Sequence, residues 1–132
     1  KNIATMVISA DNDVFGAFHS EIPRPKPNDF YWATDSSSFI YTIFSNGRHP
    51  PAHWRKKKQS YAVLIRGNDY KGENVYYVYG CIDLYQPLNR ETSWAFGCLN
   101  NYCVDAPDGV VLVRTEKFRV QRFLALELFY EP

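Results

Sequence analysis

Hydrophobic and polar residues alternate with a period of two along much of the chain. In the segment 14–18, for example, Val14, Gly16 and Phe18 fall on one face and Phe15 and Ala17 on the other. This period places successive side chains on opposite faces of a β-strand, and β-branched and aromatic residues suit such a pleated surface. The same reasoning predicts strands near 38–44, 61–65, 75–79, 94–98, 110–113 and 123–130.

Turn-forming residues separate these segments. Residues 10–13, Ala-Asp-Asn-Asp, lie between two apolar runs and predict a hairpin connection. Comparable turn sequences follow at 46–47, 67–69, 71–72 and 107–109. Pro23, Pro25 and Pro27 exclude a central strand at their positions, so we expect an extended surface loop there.

Helical character is weak in this sequence. Asp35, Ser36 and Ser37 resemble a helix N-cap, but the segment 38–44 that follows is rich in Phe, Ile, Tyr and Thr and favours a strand. Many short strands joined by turns indicate a mostly β fold, either a sandwich or a barrel. The 132 residues fit one domain, and no internal repeat suggests a second.

Composition and charge indicate where in the cell the protein would be located. Basic and acidic residues number 15 and 14, so no global charge attracts nucleic acid or an anionic membrane. No segment approaches the roughly 20 apolar residues that span a bilayer. The three cysteines are too few for a disulfide framework and no Asn-x-Ser/Thr site occurs, which favours a reducing, cytoplasmic setting. Because the chain opens on Lys1, without a signal peptide, we expect it to be part of a longer protein.

Candidate metal ligands are sparse. His49 and His53 are four residues apart, but the two prolines between them disfavour a helix that would place both on one face. Cys98 and Cys103 have a spacing seen in zinc sites, yet no second pair follows. We therefore expect neither a metal nor a cofactor.

The sequence has no recognisable catalytic motif. It lacks a Gly-x-Ser-x-Gly turn, a phosphate-binding glycine loop and a dinucleotide-binding fingerprint. A binding function is therefore favoured over catalysis, although catalytic residues need only converge in space. The enzymatic alternative is a thiol-dependent antioxidant that uses Cys103 or Cys81. Such a thiol would have to be exposed and to have a lowered pKa.

One stretch of the chain concentrates positive charge. Trp54 is followed by Arg55, Lys56, Lys57 and Lys58. Such a loop can contact phosphates while the aromatic ring stacks on a base, so a stress-linked regulator that binds nucleic acid is an alternative function. We favour a solvated loop, because short basic runs are common and the net charge is only +1.

Glu127 is a lone carboxylate in the last apolar run. On a strand it shares its face with Phe123, Ala125 and Phe129. It is either exposed, on an outer face or an edge strand, or buried beside a basic residue. We favour exposure; burial without a partner would raise its pKa and mark a site.

Several motifs resemble, in order, those of TLDc domains. The segment 5–18, an apolar strand, an acidic turn and a Phe-Gly-Ala step, resembles the early hairpin of that family. The later matches are a Ser-Glu loop at 20–21, an aromatic pair at 30–31, a Ser-Phe-aliphatic-aromatic strand at 38–43, an aromatic-glycine strand at 94–97 and the start of a final strand at 118–121. The likeness covers most of the chain and is strongest in the first fifty residues.

The resemblance implies a two-sheet antiparallel β-sandwich with a few short helices. Residues 1–132 would form a single TLDc-like domain whose N-terminal portion precedes Lys1. The implied function is non-catalytic protein binding linked to oxidative-stress resistance, with the peripheral part of the vacuolar proton pump as a partner of several members. The protein-binding residues it singles out are Phe15, Gly16, Glu21, Trp94, Gly97 and Glu127.

Overall fold

Eleven strands account for most of the residues that the computed structural model describes, which are 2–21, 30–33, 35–57, 63–66, 74–78, 80–86, 88, 90, 93–95, 102–107 and 110–129. The strands are β1 (Asn2–Ser9), β2 (Val14–His19), β3 (Phe30–Ala33), β4 (Phe39–Phe44), β5 (Ala52–Arg55), β6 (Val63–Arg66), β7 (Asn74–Val78), β8 (Ile82–Tyr85), β9 (Ser93–Ala95), β10 (Lys117–Phe118) and β11 (Val120–Leu128). Of the short helices that the resemblance implies, these residues contain only Tyr102 in helical geometry. No helix among them is long and apolar enough to cross a membrane.

The strands form two sheets in which neighbouring strands run antiparallel. One has five strands in the order β11-β1-β2-β4-β5, and the other has six in the order β10-β9-β8-β7-β6-β3. β1 pairs with both β11 and β2, so that Val7 lies between Phe123 and Phe15. Among the described strands, β11 and β5 are therefore the edges of the five-stranded sheet.

The hydrophobic core lies between the two sheets, which confirms the predicted mostly β sandwich. The rings of Phe15 on β2 and Phe118 on β10 meet edge to face, with centroids 5.6 Å apart. The rings of Tyr76 on β7 and Phe123 on β11 are tilted at 40° to each other, with centroids 5.1 Å apart. Each pair joins one sheet to the other, as the interdigitating inner faces of a sandwich require.

Gly16 permits a close crossing on the outer face of the five-stranded sheet. Tyr41 on β4 reaches across β2, and its hydroxyl donates a hydrogen bond to the carbonyl oxygen of Thr5 on β1. A Cβ atom at Gly16 would collide with that carbonyl oxygen and with the hydroxyl. Glycine is therefore needed here for close approach, as expected for a strand glycine.

Two of the predicted turns are confirmed as connections between antiparallel neighbours. Residues 10–13 join β1 to β2, and Asn46-Gly47 lies in the connection from β4 to β5. Asn46 and Gly47 have φ angles of 54° and 82°, and the Arg48 N–H donates to the Ser45 carbonyl at 3.1 Å. Positive φ at both central positions is the geometry of a type I′ turn, which Asn-Gly favours.

Asp35 forms a turn that leads into β4 and begins no helix. Its carboxylate accepts hydrogen bonds from the Ser37 N–H at 2.9 Å and from the Ser20 hydroxyl at 2.6 Å. It also accepts from the N–H groups of Ser20 and Glu21. Burial would raise the pKa of Asp35, but these hydrogen bonds outweigh it and hold the pKa below its usual value.

The segment 110–113 differs from the prediction, because it is not a strand. Its backbone is irregular, yet Val110, Leu112 and Val113 are all buried. Two adjacent residues that both face the core are incompatible with the alternation of a strand. The apolar run therefore signals burial and not a period of two.

Some predictions fall outside the described residues and are not addressed by the structure. They comprise the three prolines at 23, 25 and 27, the turns at 67–69, 71–72 and 108–109, and the residues Lys58, Phe96, Gly97 and Cys98.

Candidate functional site

The last strand exposes a row of leucines at a sheet edge. Leu124, Leu126 and Leu128 occupy every second position of β11 and so lie on one face of the strand, where they are 40%, 46% and 46% exposed. Met6, which lies opposite Leu124 on β1, extends the row inward, and Phe129 just beyond the strand is 80% exposed. The other side of β11 pairs with none of the described strands. Exposed apolar side chains next to an open edge are the features of a strand-addition site.

Charged residues frame this row, which we call the β11 surface (Leu124, Leu126, Leu128 and Phe129). Arg119 and Arg122 are exposed at the start of the strand, and Glu127 is exposed near its end. The predicted exposure of Glu127 on an edge strand is therefore what the structure shows. The positive end of the β11 surface would favour an acidic group on any segment that pairs with it.

A second candidate site lies between the sheets, where Cys81 and Cys103 are in contact. Their Sγ atoms are 4.0 Å apart, both are free thiols, and they are 0% and 1% exposed. Cys81 lies in the turn between β7 and β8, where its N–H donates to the Val78 carbonyl at 2.9 Å. Cys103 forms an antiparallel bridge with Lys56, directly after β5. The two thiols therefore approach each other from opposite sheets.

Lys56 brings an ammonium group to this pair. Its Nζ lies 3.6 Å from Cys81 Sγ and 5.4 Å from the centroid of the Tyr102 ring, and the residue is 1% exposed. The alternation of β5 continues through this residue, so Trp54 and Lys56 are buried while Arg55 and Lys57 are exposed. The basic run is thus divided between the interior and the surface.

These contacts set the pKa values of the two thiols apart. The hydrogen bond with Cys81 lowers the pKa of Cys103, burial opposes this, and the charges of Lys56 and Lys57 lower it further. The same hydrogen bond, together with burial, raises the pKa of Cys81. A negative charge on the pair therefore settles on Cys103, while Cys81 keeps its proton.

Further polar side chains line the interior near the thiols. Tyr76 Oη lies 2.7 Å from His19 Nε2 and 2.8 Å from Thr5 Oγ1. Burial lowers the pKa of His19 to about 4; the carboxylate of Asp35 opposes the shift and Lys56 adds to it. Burial likewise raises the pKa of Tyr76. The imidazole is therefore neutral at physiological pH.

A cleft lies at the outer edge of β5, beside Lys56. Its volume is about 450 Å³, and it is lined by His53, Trp54, Arg55, Lys56, Val104 and Asp105. Lys56 contacts Cys81, and Val104 directly follows Cys103. The cleft thus shares Lys56 with the thiol pair, although neither cysteine lines it.

The residues that the TLDc resemblance singles out are spread over both sheets. Phe15 and Gly16 are buried in β2, Glu21 is exposed after it, and Trp94 is half-buried on β9 with Lys117 Nζ 4.8 Å from its ring centroid. Gly97 lies outside the described residues. Only Glu127 borders the β11 surface, so the structure does not gather the described members of this set into one site.

The basic run and two of the histidines lie close together at β5. Trp54 is 7% exposed and packs edge to face against His49, with ring centroids 5.4 Å apart. With Trp54 and Lys56 buried, the described part of the run forms no continuous exposed surface. No group of three or more metal-ligating side chains occurs among the described residues.

No model of a known protein family matches the sequence, and no curated protein matches it. The structure therefore defines the class of protein: a two-sheet antiparallel β-sandwich with a buried dithiol and an apolar edge strand that is open among the described strands.

Proposed function

We propose that this domain is a non-catalytic protein-interaction module that binds an extended segment of a partner protein along β11. The observation that carries the proposal is the row of exposed leucines at 124, 126 and 128 on a strand whose outer side is open among the described strands. An added strand would satisfy the edge N–H and C=O groups and cover the leucines with alternate side chains of its own.

The energy available from the β11 surface suits a specific complex. Full burial of a leucine side chain stabilises by about 1.5–3 kcal/mol, and these leucines are nearly half exposed before binding. Each one therefore contributes roughly 1 kcal/mol when it is covered. Backbone hydrogen bonds along the edge add specificity, because a one-residue slip would turn the apolar side chains of the partner segment away from the leucines of β11.

The charges on β11 favour a different protein over a second copy of this chain. In an antiparallel pair, opposed side chains share a face, so two β11 strands would place Arg122 opposite Leu124, Leu126 or Leu128 of the other copy. An acidic residue is the better counterpart for an exposed arginine. We infer a partner segment of alternating apolar residues with an acidic group at the end that meets Arg119 and Arg122.

The resemblance to TLDc domains supports the same function and suggests where to look for the partner. It makes subunits of the peripheral part of the vacuolar proton pump the first candidates, in a cytoplasmic setting connected with oxidative stress. We propose binding to such a subunit, and substitutions on the β11 surface test it.

The test compares Leu126→Lys with wild type. Leu126 is exposed, so the substitution leaves the core intact while placing a charge in the centre of the β11 surface. Lysate proteins captured by the wild-type domain are identified by mass spectrometry, and direct binding of each purified candidate is measured. We expect L126K to weaken the true partner at least about tenfold, and hydrogen exchange at 124–128 to slow in the wild-type complex.

Gln121→Lys is the matched control, because it adds the same charge to the other face of the same exposed strand. Unchanged affinity in Q121K and loss in L126K support the proposal. If both variants bind like wild type, or if exchange slows elsewhere and not on β11, the proposed surface is wrong. Concentration-dependent dimerisation that L126K abolishes would instead make a second copy the occupant.

A further inference from the structure

We propose that Cys103 and Cys81 form a peroxide-sensitive dithiol, in which Cys103 reacts with hydrogen peroxide and Cys81 resolves the product into an intramolecular disulfide. This modification site is separate from the β11 surface and does not depend on the proposed binding function.

The positions of the two sulfur atoms suit disulfide formation. They are 4.0 Å apart as thiols, and a disulfide bond needs about 2.05 Å, so closure requires an approach of roughly 2 Å. Cys81 lies in a turn, and Cys103 makes only an isolated bridge with Lys56. Neither residue is held within a long strand, so rotation of the side chains with a small backbone shift can bring the sulfur atoms together.

Lys56 positions and activates the pair without reacting itself. Its buried ammonium lies 3.6 Å from Cys81 Sγ and stabilises negative charge on either thiol of the pair, in an interior where such charge is otherwise costly. The thiolate is the nucleophilic form of cysteine, and a positive neighbour is a recognised means of producing it. A hydrogen bond from the Cys81 thiol to Cys103 Sγ would stabilise a thiolate on Cys103 and leave Cys81 as the thiol that resolves the sulfenic acid.

In this proposal a small oxidant enters through the cleft at the edge of β5, which neither cysteine lines. Its lining includes Lys56, beside Cys81, and Val104, next to Cys103. Hydrogen peroxide is about the size of two water molecules and fits a cleft of about 450 Å³. Because the sulfur atoms are at most 1% exposed, any reagent must reach them through local motion, which admits peroxide more readily than a larger thiol reagent. The site should therefore discriminate by the size of the reagent.

The reaction balances with hydrogen peroxide as the only oxidant. The Cys103 thiolate attacks one peroxide oxygen, the O–O bond breaks, and a sulfenic acid and hydroxide form. Hydroxide takes the proton of the Cys81 thiol and leaves as water. The Cys81 thiolate then attacks the sulfenic sulfur, the S–O bond breaks, and the departing hydroxide takes from solvent the proton that Cys103 had released. Two thiols are oxidised and one peroxide is reduced to two waters.

The test exposes the full chain to hydrogen peroxide and follows it by intact mass and peptide mapping. We expect loss of the mass of two hydrogen atoms and a cross-link between Cys81 and Cys103 in wild type and in Cys98→Ser. In Cys81→Ser, a sulfenic acid should accumulate at Cys103, seen as a mass gain of one oxygen and trapped by dimedone once the reaction is quenched in denaturant. Cys103→Ser should react at least about tenfold more slowly than wild type.

Lys56→Met tests the positioning role of the ammonium. The peroxide reaction should slow about tenfold and its pH midpoint should rise, and Lys56→Arg should restore part of the rate. A purely structural role would alter stability without moving the pH midpoint. If Lys56→Met does not fold, the pH profile of the wild-type rate decides, since a midpoint like that of free cysteine contradicts the assignment.

Three results would overturn the proposal. The first is reaction of both thiols at the rate of free cysteine. The second is a disulfide that involves Cys98. The third is a mass gain of one oxygen less two hydrogens that links Lys56 to Cys81, which would mean a nitrogen–oxygen–sulfur bridge in place of the disulfide.

Discussion

At the scale of single residues, burial of polar groups is the main departure from a simple apolar core. His19 is fully buried, and its Nδ1 atom has no hydrogen-bond partner among the described residues. Tyr76, Thr5 and Lys56 are buried in the same interior. Each of these groups needs a protein hydrogen-bond partner in place of water. The stability of this core therefore depends on pH more than that of an aliphatic core does.

His19 makes stability depend on pH in a defined window. Its pKa is about 4 in the folded chain and 6.5 when the group is free, so between these values the unfolded chain binds a proton that the folded chain does not. Stability is therefore full above about pH 6.5 and is lost as the pH falls towards 4, by about 3 kcal/mol. Urea titrations at a series of pH values measure this slope.

The variant His19→Gln identifies the group responsible. Glutamine retains a hydrogen-bonding group towards Tyr76 but does not titrate, so the slope between pH 6.5 and 4 should flatten. His53→Gln, at an exposed position on β5, is the control and should keep the wild-type slope. An unchanged slope in H19Q would show that another group takes up the proton. Asp35 acts separately, because its lowered pKa affects stability below this window.

At the scale of elements, Asp13 holds the two hairpin connections of the five-stranded sheet together. Its Oδ1 accepts hydrogen bonds from Arg48 Nη2 at 2.7 Å and from Asn46 Nδ2 at 2.8 Å, in the β4–β5 connection. Its Oδ2 accepts from the Arg114 N–H at 3.4 Å. The carboxylate is 1% exposed, so these donors stand in for water.

Asp13→Ala should therefore destabilise the domain by about 2 kcal/mol, because it removes the buried acceptor that the side chains of Arg48 and Asn46 share. Asp13→Asn, which keeps one acceptor oxygen but removes the charge, should lose less. Asp11→Ala, exposed in the same turn, should change stability by less than about 0.5 kcal/mol. Chemical denaturation measures all three, and equal effects of D13A and D11A would contradict the role assigned to Asp13.

The sequence predicted correctly those strands and turns that depend only on neighbouring residues. The alternation from Val14 to Phe18 and the Asn46-Gly47 turn are properties of neighbouring residues, so they are visible in the sequence. The run 110–113 misled because burial alone does not distinguish a strand from an irregular buried segment. The edge position of β11 depends on which strands pair, which no local pattern records.

The candidate sites were predictable only in part. Lys56 follows the buried Trp54 by two positions on the same strand face, so strict alternation would have indicated its burial within the basic run. The contact of Cys81 with Cys103 joins residues 22 apart through the packing of two sheets. Each cysteine was a candidate from sequence, but their pairing is a property of the tertiary fold.

At the scale of the whole molecule, the proposed disulfide would be a covalent link between the two halves of the sandwich. Cys81 belongs to the β7–β8 turn of the six-stranded sheet, and Cys103 is bridged to the end of β5 in the five-stranded sheet. The described links between the sheets are otherwise side-chain packing and a few hydrogen bonds, such as Tyr76 to Thr5. Oxidation would therefore restrain the separation of the sheets during unfolding.

Closing this loop should raise the stability of the oxidised form. The sulfur atoms join residues 22 apart, and the chain-entropy relation gives about 3 kcal/mol for a loop of this size. Thermal unfolding of the peroxide-treated chain should show a Tm several degrees higher than that of the reduced chain, and the difference should disappear on reduction. Cys98→Ser should keep the increase and Cys81→Ser should lose it. An unchanged or lower Tm in a chain whose Cys81–Cys103 cross-link is verified would mean that drawing the sulfur atoms together from 4.0 Å strains the core by as much as the shortened loop stabilises it.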